Sequence, residues 1–531
     1  MPVNSVHPKY QQAFRRWELM RDSMEGESAI KALGPKYLPP TPSQILDGMK
    51  PGLYSPEGCK DTNNLGLVSY HNYVSRAHYP DFFKEGVRTV LGILNAKPAR
   101  VVMPKQMEYL LTNATPNGQS LETLLRLIHL EQLVVGRIGL LADFKTPKTP
   151  GEERPYIAPY LTETITNWDA GEHVNGQHKM NLIVLNECGK VRNGFEWEDA
   201  KKWRVLRLSG AAESTDEASG VYQFATTEDA GADLNELAFT PANIQGRNLE
   251  ELPFVCIGPT DLDPNPDEPP LDGLAELCLL IYRGEADYRY TLFMQGQETL
   301  VISGSVVQRE LSQDGTGKQA PIRVGADSAI ELTTGGTAEY IGISSSGLPE
   351  QRSALEADRN RAAVKTGQLL QPGKASMESG EALKTRVAAQ TATLTSVAKA
   401  GAEGLQTILR VIAKWMGLNP EEVSVTPNLD FTNFHIQGQD IVQLITAKRL
   451  GAPLSMKSIH DIMRERGLTR LDWEQELEEI RKDPEELVKF LLQDSADTGN
   501  NPTASAGGPQ KSTQGQRRQT SVPRDQQGND A

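Results

Sequence analysis

Apolar positions change period along this chain, and the changes divide it. Up to residue 150 they fall at helical spacing with interruptions: PKYQQAFRRWELMRDSM and VSYHNYVSRAHYPDFFKEGVRTVLGILNA flank a proline-rich link, KYLPPTPSQ. In SLETLLRLIHLEQLVVGRIGLLADF the apolar stripe is Leu121, Leu124, Leu125, Ile128, Val135 and Ile138, broken by Gln132, with Ser120 placed to cap a helix. Residues 155–260 read differently. YIAPYLTETITNW, KMNLIVLNE, WRVLRLSG and VYQFATTE are short β-branched and aromatic runs separated by Gly, Asn and Asp, the signature of strands. The run IGPTDLDPNPDEPP then forbids regular structure.

Helical spacing returns at Leu271 and continues through Leu274, Cys278, Ile281, Glu285, Tyr288 and Leu292, with Glu285 the one polar member. A helix over Pro270–Gly296, opened by Pro269-Pro270 and closed by Gly296, is a rod of roughly 40 Å. ETLVISGSVVQRE and SAIELTTGGTAEYIGIS read as strands around SQDGTGKQAP. A return helix, LPEQRSALEADRNRAAVKTGQLL, has only a thin apolar stripe (Leu348, Leu355, Ala362, Leu369). A helix polar nearly all round needs neighbours or ion pairs to hold it. The loop QPGKASM follows, then a long helix over 379–416 striped by Leu383, Val387, Leu394, Val397, Leu405, Ile408, Ile412 and Trp415, with Gly401 and Gly404 as weak or bent points. SVTPNLDF is a short strand. A cluster of three helical segments comes next, the middle one capped by Ser455 and ended by Gly467. The stretch 493–531 has no apolar periodicity and is expected to be disordered. The fold class is α+β.

Composition sharpens this picture. The chain has 531 residues, 38% hydrophobic and only 6% aromatic. Much surface relative to core suits an elongated or multi-part subunit, or one that completes its burial against copies of itself. A net charge of −14 argues against gripping nucleic acid through a basic face, since tight phosphate binding needs clustered Lys and Arg. The four cysteines (Cys59, Cys188, Cys256, Cys278) are widely spaced and form no CxxC pair, so they read as reduced thiols. The start has no apolar segment of a signal peptide, and no run of about 18 apolar residues is present to span a membrane.

Catalytic patterns are absent. QDGTGKQ fails as a phosphate-binding loop because Gln319 stands where a hydroxyl should hold Mg²⁺ and Ser312 stands where the first glycine belongs. GISSSG fails as a nucleophile elbow because Ser346 takes the second glycine position. His173 and His178 lack the spacing that puts two imidazoles on one helix face, whereas His71 and His78, seven apart on an expected helix, could share one. The acids of DLDPNPDE lack the central glycine and terminal Glu of a calcium loop and read as a solvated linker, and Glu478/Glu479 as solvated helix surface. No catalytic, cofactor or metal residues are assigned.

The order of these parts resembles the portal, or head-to-tail connector, proteins of tailed bacteriophages. SGEALKTR (Ser379–Arg386) is similar to the start of the long portal helix after its channel loop. PPLDGLAELCLLIYRGEADYRYTLFMQGQETLVISG resembles the descending stem helix leading into the clip, and VHPKYQQAFRRWELMRDSMEGESAIKALGPKYLPP the opening of one branch of portals from short-tailed phages. The resemblance covers residues 5–490.

What the resemblance implies is a homo-oligomeric ring, usually of twelve subunits, at one capsid vertex. Double-stranded DNA passes through its channel, and the ring meets the terminase large subunit, a tail adaptor, and the major capsid and scaffold proteins. The subunit is made in the bacterial cytoplasm, resides in the virion and needs no membrane or cofactor. By position, 1–269 is the N-terminal wing, 270–296 and 347–371 the stem helices, 297–346 the clip, 372–378 the tunnel loop, 379–437 the remaining wing and 438–492 the crown. Candidate DNA-channel residues are Lys374 and Ser376 in the loop, with Arg359, Arg361 and Lys365 on the return helix. Rival readings are a capsid-associated hydrolase or nuclease, or another virion protein such as a scaffold or tail component.

Overall fold

The computed structural model describes residues 2–144, 154–169, 173–174, 177–178, 180–209, 220–244, 246–296, 299–304, 332, 334–341, 347–368, 380–429, 431, 445–450, 455–465, 469 and 471–482. They fall into two units, Met1–Phe431 and Thr432–Ala531. Helices and antiparallel strands are interleaved, as the changes of period require.

The first unit begins with helices α1 (Pro8–Glu25), α2 (Glu27–Ala32), α3 (Pro42–Leu46), α4 (Leu65–Arg76) and α5 (Phe82–Leu94). Strand β1 (Arg100–Val102) precedes α6 (Leu121–Val134). Ser120 does cap α6: its Oγ accepts from the Thr123 amide at 3.2 Å. The expected continuation of that helix through Ile138 is wrong. The α6 helix stops at Val134, because Val135 and Gly136 turn their amides onto the Glu131 carbonyl and Gly136 takes φ +76°. A side chain at Gly136 would also strike the Asp267 carbonyl oxygen, so glycine serves both the turn and the close approach. Ile138 instead starts β2 (Ile138–Phe144), the middle strand of a three-stranded sheet with β3 (Pro155–Leu161) on one side. A second correction concerns His71 and His78. The α4 helix ends at Arg76, so the two imidazoles share no helix face: His71 stacks on Tyr54 at 4.9 Å, while His78 meets Glu27 at 3.2 Å.

The β-rich section is present where the alternation placed it. After β3 come β4 (Ile165–Asp169), the hairpin β5 (His173–Val174) and β6 (Gln177–His178), and β7 (Leu182–Asn186). The hairpin β8 (Gly189–Asn193) and β9 (Glu196–Ala200), then β10 (Trp203–Leu208) and β11 (Tyr222–Thr227), follow. Short strands β12 (Thr240–Pro241), β13 (Asn243–Ile244) and β14 (Arg247–Asn248) lead to β15 (Phe254–Ile257), which pairs with β2. The larger sheet runs β12-β11-β10-β7-β4.

Helix α7 (Asp272–Gln295), strands β16 (Thr299–Ser303) and β17 (Thr337–Ile341), and helix α8 (Leu348–Gln368) form one excursion. Pro269 and Pro270 lie just before the Leu271 cap rather than inside α7, and Gly296 caps it in a right-handed conformation (φ −70°). The long helix α9 (Gly380–Met416) and β18 (Ser424–Thr426), which pairs with β1, complete the unit. Leu394, Val397, Leu405, Ile408, Ile412 and Trp415 of α9 are all buried, and together they enter three hydrophobic clusters. The α9 helix is unbroken at Gly401 and Gly404. Their role is contact: a Cβ at Gly401 would crowd His129 and Gln132, and one at Gly404 would lie 2.4 Å from Ile257.

Four buried polar groups at the α6–β2 junction tie this unit together. Glu131 takes two hydrogen bonds from Arg21 of α1, at 2.8 and 2.6 Å. The Gln132 amide donates to the Gly258 carbonyl at 2.6 Å and also reaches the Val397 carbonyl of α9. Arg137, fully buried, donates to Thr162 Oγ1 and the Pro264 carbonyl and lies 4.4 Å from the Trp168 ring centroid. His129 faces Asn95 at the end of α5, with 3.1 Å from Nδ1 to Oδ1.

In the second unit, α10 (Met456–Glu465) is capped as expected, Ser455 Oγ accepting from the Ser458 amide at 3.0 Å. His460 of α10 packs edge-on against Trp473 of α11 (Trp473–Lys482). Gly467 and residues 493–531 lie outside the described residues.

Burial of His129 makes acid stability the test of this junction. Desolvation lowers its pKa to about 4 from 6.5, so the unfolded chain binds the proton first. Stability is therefore whole above pH 6.5 and falls as pH drops towards 4, by roughly 3 kcal/mol. His129→Asn is expected to flatten the fall in unfolding midpoint between pH 7 and pH 4.5. An identical fall in wild type and variant contradicts it.

Candidate functional site

The α7–β16…β17–α8 excursion carries the residues singled out from the sequence. The order of its contacts fixes its geometry. Lys365 Nζ lies 3.4 Å from the Gly273 carbonyl, Arg359 meets Glu285, and Leu355 lies against Gly284. Lys365 meets the start of α7 while Leu355 and Arg359, earlier in α8, meet residues 284 and 285 further along α7, so the helices are antiparallel, and β16 pairs with β17 in register from Thr299↔Ile341 to Ser303↔Thr337.

The stripe on α7 accounts for the attachment. Leu274, Cys278, Ile281 and Glu285 are buried, as the spacing predicts, together with Tyr282 and Ala286. Beyond Ala286 the same stripe leaves the core: Tyr288 is half-buried and Leu292 is 48% exposed. Met294, Val301 and Tyr340 are exposed as well. The C-terminal end of α7 and the strand pair are therefore the exposed part of the excursion. Among the described side chains of α8 only Leu355 and Ala362 are buried, and Val364 is 53% exposed. The thin stripe read from the sequence is thus a thin contact.

Glu285 compensates for that thinness. It is 3% exposed, and its carboxylate accepts from Arg289 Nε at 2.5 Å through Oε2 and from Arg359 through Oε1. A carboxylate withdrawn from water between two helices is tolerable only with such partners. Gly284, one residue before it, lets Leu355 approach to where a Cβ would meet Cδ2 at 2.9 Å. Along the second half of α7, Tyr73 of α4 donates to Asp287 at 2.5 Å and Arg76 lies 3.6 Å from the Phe293 ring centroid.

Of the candidate channel residues, Arg359, Arg361 and Lys365 are brought onto this one helix. Arg361 meets Asp358 at 3.2 Å on the exposed surface. Lys374, Ser376 and the whole loop 372–378 lie outside the described residues, as does most of 297–346. Glu285 was visible in the sequence as the polar member of an apolar stripe. Arg289 and its convergence with Arg359 were not, because the pairing depends on the α7–α8 register.

No group of three His, Cys, Asp or Glu side chains among the described residues could hold a metal ion, and none of their helices is long and apolar enough to cross a membrane. A cavity of about 20 Å³ at His129, Asn95 and Ala398 has room for water rather than a cofactor.

The α7–α8 contact generates a direct test. Leu355→Ala removes one of the two buried side chains of α8 and is expected to weaken its docking by about 2 kcal/mol. Amide exchange along 348–366 then accelerates roughly thirty-fold while α6 and β2 stay protected. Unchanged exchange in α8 overturns the assignment of Leu355 as its anchor.

Comparison with known proteins gives a family model and remote structural likenesses. The model of a domain of unknown function, DUF4055, matches residues 270–416, which span α7 to α9. No curated protein matches the sequence. Among solved structures, the chain is similar to one described as the virion of a native gene transfer agent particle, at 15% identity over 73% of this chain and 90% of that one, with a TM-score of 0.35. It is also similar to chains from the neck of the empty particle computed with C6 symmetry (14%, 72% and 90%, TM-score 0.36) and from the neck of the native particle computed with C12 symmetry (14%, 72% and 89%, TM-score 0.34). At these identities and TM-scores the likeness assigns neither a fold nor a role.

Proposed function

We propose that this chain is a portal-type subunit, forming a homo-oligomeric ring at one vertex of a phage-like capsid and a channel for double-stranded DNA during packaging and ejection. The observation that carries this reading is the antiparallel excursion: a long helix, a strand pair and a returning polar helix, in that order, ahead of the long buried α9. That is the order of parts in the sequence resemblance. The exposed Leu292, Met294, Val301, Tyr340 and Val364 on the excursion are surface that adjacent copies in a ring cover. In this assignment α7 and α8 are the stem, 297–346 the clip that docks terminase and the tail adaptor, 372–378 the tunnel loop, 438–492 the crown, and the rest of Met1–Phe431 the wing that meets capsid and scaffold proteins.

The acidic balance of the chain fits a conduit. Each lasting phosphate contact adds salt-dependent binding free energy, and a moving strand has to break it. A few isolated cations serve as transient contacts, with Lys374 first among them and Arg359, Arg361 and Lys365 behind it.

Negative-stain microscopy of the purified full chain is expected to show annular particles with a central hole. A monodisperse monomer that hydrolyses nucleic acid overturns the reading. Lys374→Ala is expected to leave the annuli intact while altering packaging or DNA retention. An assembly defect without any effect on DNA in the remaining rings makes Lys374 a subunit-contact residue instead.

A further inference from the structure

The cations of α8 differ in how firmly they are held. Arg352 pairs with Glu356 at 2.9 Å and Arg361 with Asp358 at 3.2 Å, one turn away on the exposed surface. Such pairs exchange freely with water and are weak. Lys365 reaches the Gly273 carbonyl at 3.4 Å. Arg359 is different, because its partner Glu285 is buried and also holds Arg289. Both arginine side chains remain 40–46% exposed, so the guanidinium groups sit at the surface while the carboxylate that neutralises them sits beneath.

We infer that Glu285 sets how strongly the α7–α8 surface attracts double-stranded DNA, by holding Arg359 and Arg289 in a buried-carboxylate fork that leaves the three groups with one net positive charge instead of two. The inference rests on the reading of this helix pair as a DNA-facing wall. The physical reason is local dielectric: a carboxylate shielded from water acts on its partners more strongly than an exposed one, and salt screens it less. The exposed pairs of Arg352 and Arg361 open readily to a passing phosphate; the Arg359 fork does not. Glu285 is therefore a positioning residue for the surface charge, and repetition of one stem per copy multiplies its effect around a ring.

The test is the salt dependence of retention of a double-stranded DNA fragment by the full-length protein, for wild type, Glu285→Gln, Arg359→Gln and the double variant. Glu285→Gln keeps the shape and one of the two acceptor oxygens and is expected to bind on the order of ten-fold tighter at 50 mM salt, with a slope of log affinity against log salt steeper by about one. Adding Arg359→Gln returns the slope to the wild-type value. Arg359→Gln alone takes the group from one net positive charge to none and is expected to lower the slope by about one. Arg359→Gln with the wild-type slope overturns the inference, even if Glu285→Gln does not fold. An annular Glu285→Gln protein with the wild-type slope overturns it too, and leaves the portal reading standing. Wild-type protein without annular particles overturns the portal reading itself.

Discussion

Four polar side chains buried within nine positions of one another constrain the body of this protein. His129, Glu131, Gln132 and Arg137 lie where α6 turns into β2, and each reaches a different part of the chain: the end of α5, α1, the 258–259 turn with α9, and the Pro264 carbonyl. None can go into the interior without a partner, since an unpaired buried polar group or charge costs several kcal/mol. The four pairings form together only when these elements stand in one arrangement. Arg137 shows this most sharply. Its guanidinium has no hydrogen-bonded carboxylate and relies on carbonyl and hydroxyl oxygens and the faces of two tryptophans, so the loop carrying Pro264 is fixed before α7 begins.

That anchoring explains how a helix can leave the body with so little support. The first half of α7 is buried on several sides and rooted by the fixed loop; its second half is more exposed and is held by α8 through Leu355 and the Glu285 fork and by α4 through Tyr73 and Arg76. A contact built from two apolar side chains and one ionic cluster is specific in register but modest in energy. The remaining apolar surface on the excursion calls for neighbours, which the proposed ring supplies.

Much of this was legible from periodicity. The stripe on α7, the thin stripe on α8, the buried face of α9 and the strand-rich middle follow from which residues repeat every three or four positions and which alternate. The errors came where local pattern and backbone geometry disagreed. The apolar spacing from Leu121 to Ile138 is helical throughout, yet the chain turns at Gly136 because β2 completes a sheet with β3 and β15, strands far along the sequence. The glycines of α9 looked like weak points because intrinsic propensity counts only their backbone freedom. In the fold they are the positions where His129, Gln132 and Ile257 come closest.

By itself, then, the sequence determined the kind and order of the elements, since hydrophobic period, caps and breakers act within a few residues and need no knowledge of the fold. It also marked Gln132 and Glu285 as polar residues inside apolar stripes. What they bind was decided only by tertiary structure. Glu285 finds Arg359 across a gap of 74 residues, and Gln132 finds Gly258 across 126. Those pairings depend on helix register and on the low dielectric of a closed interior, and both come into being only when the whole unit is packed.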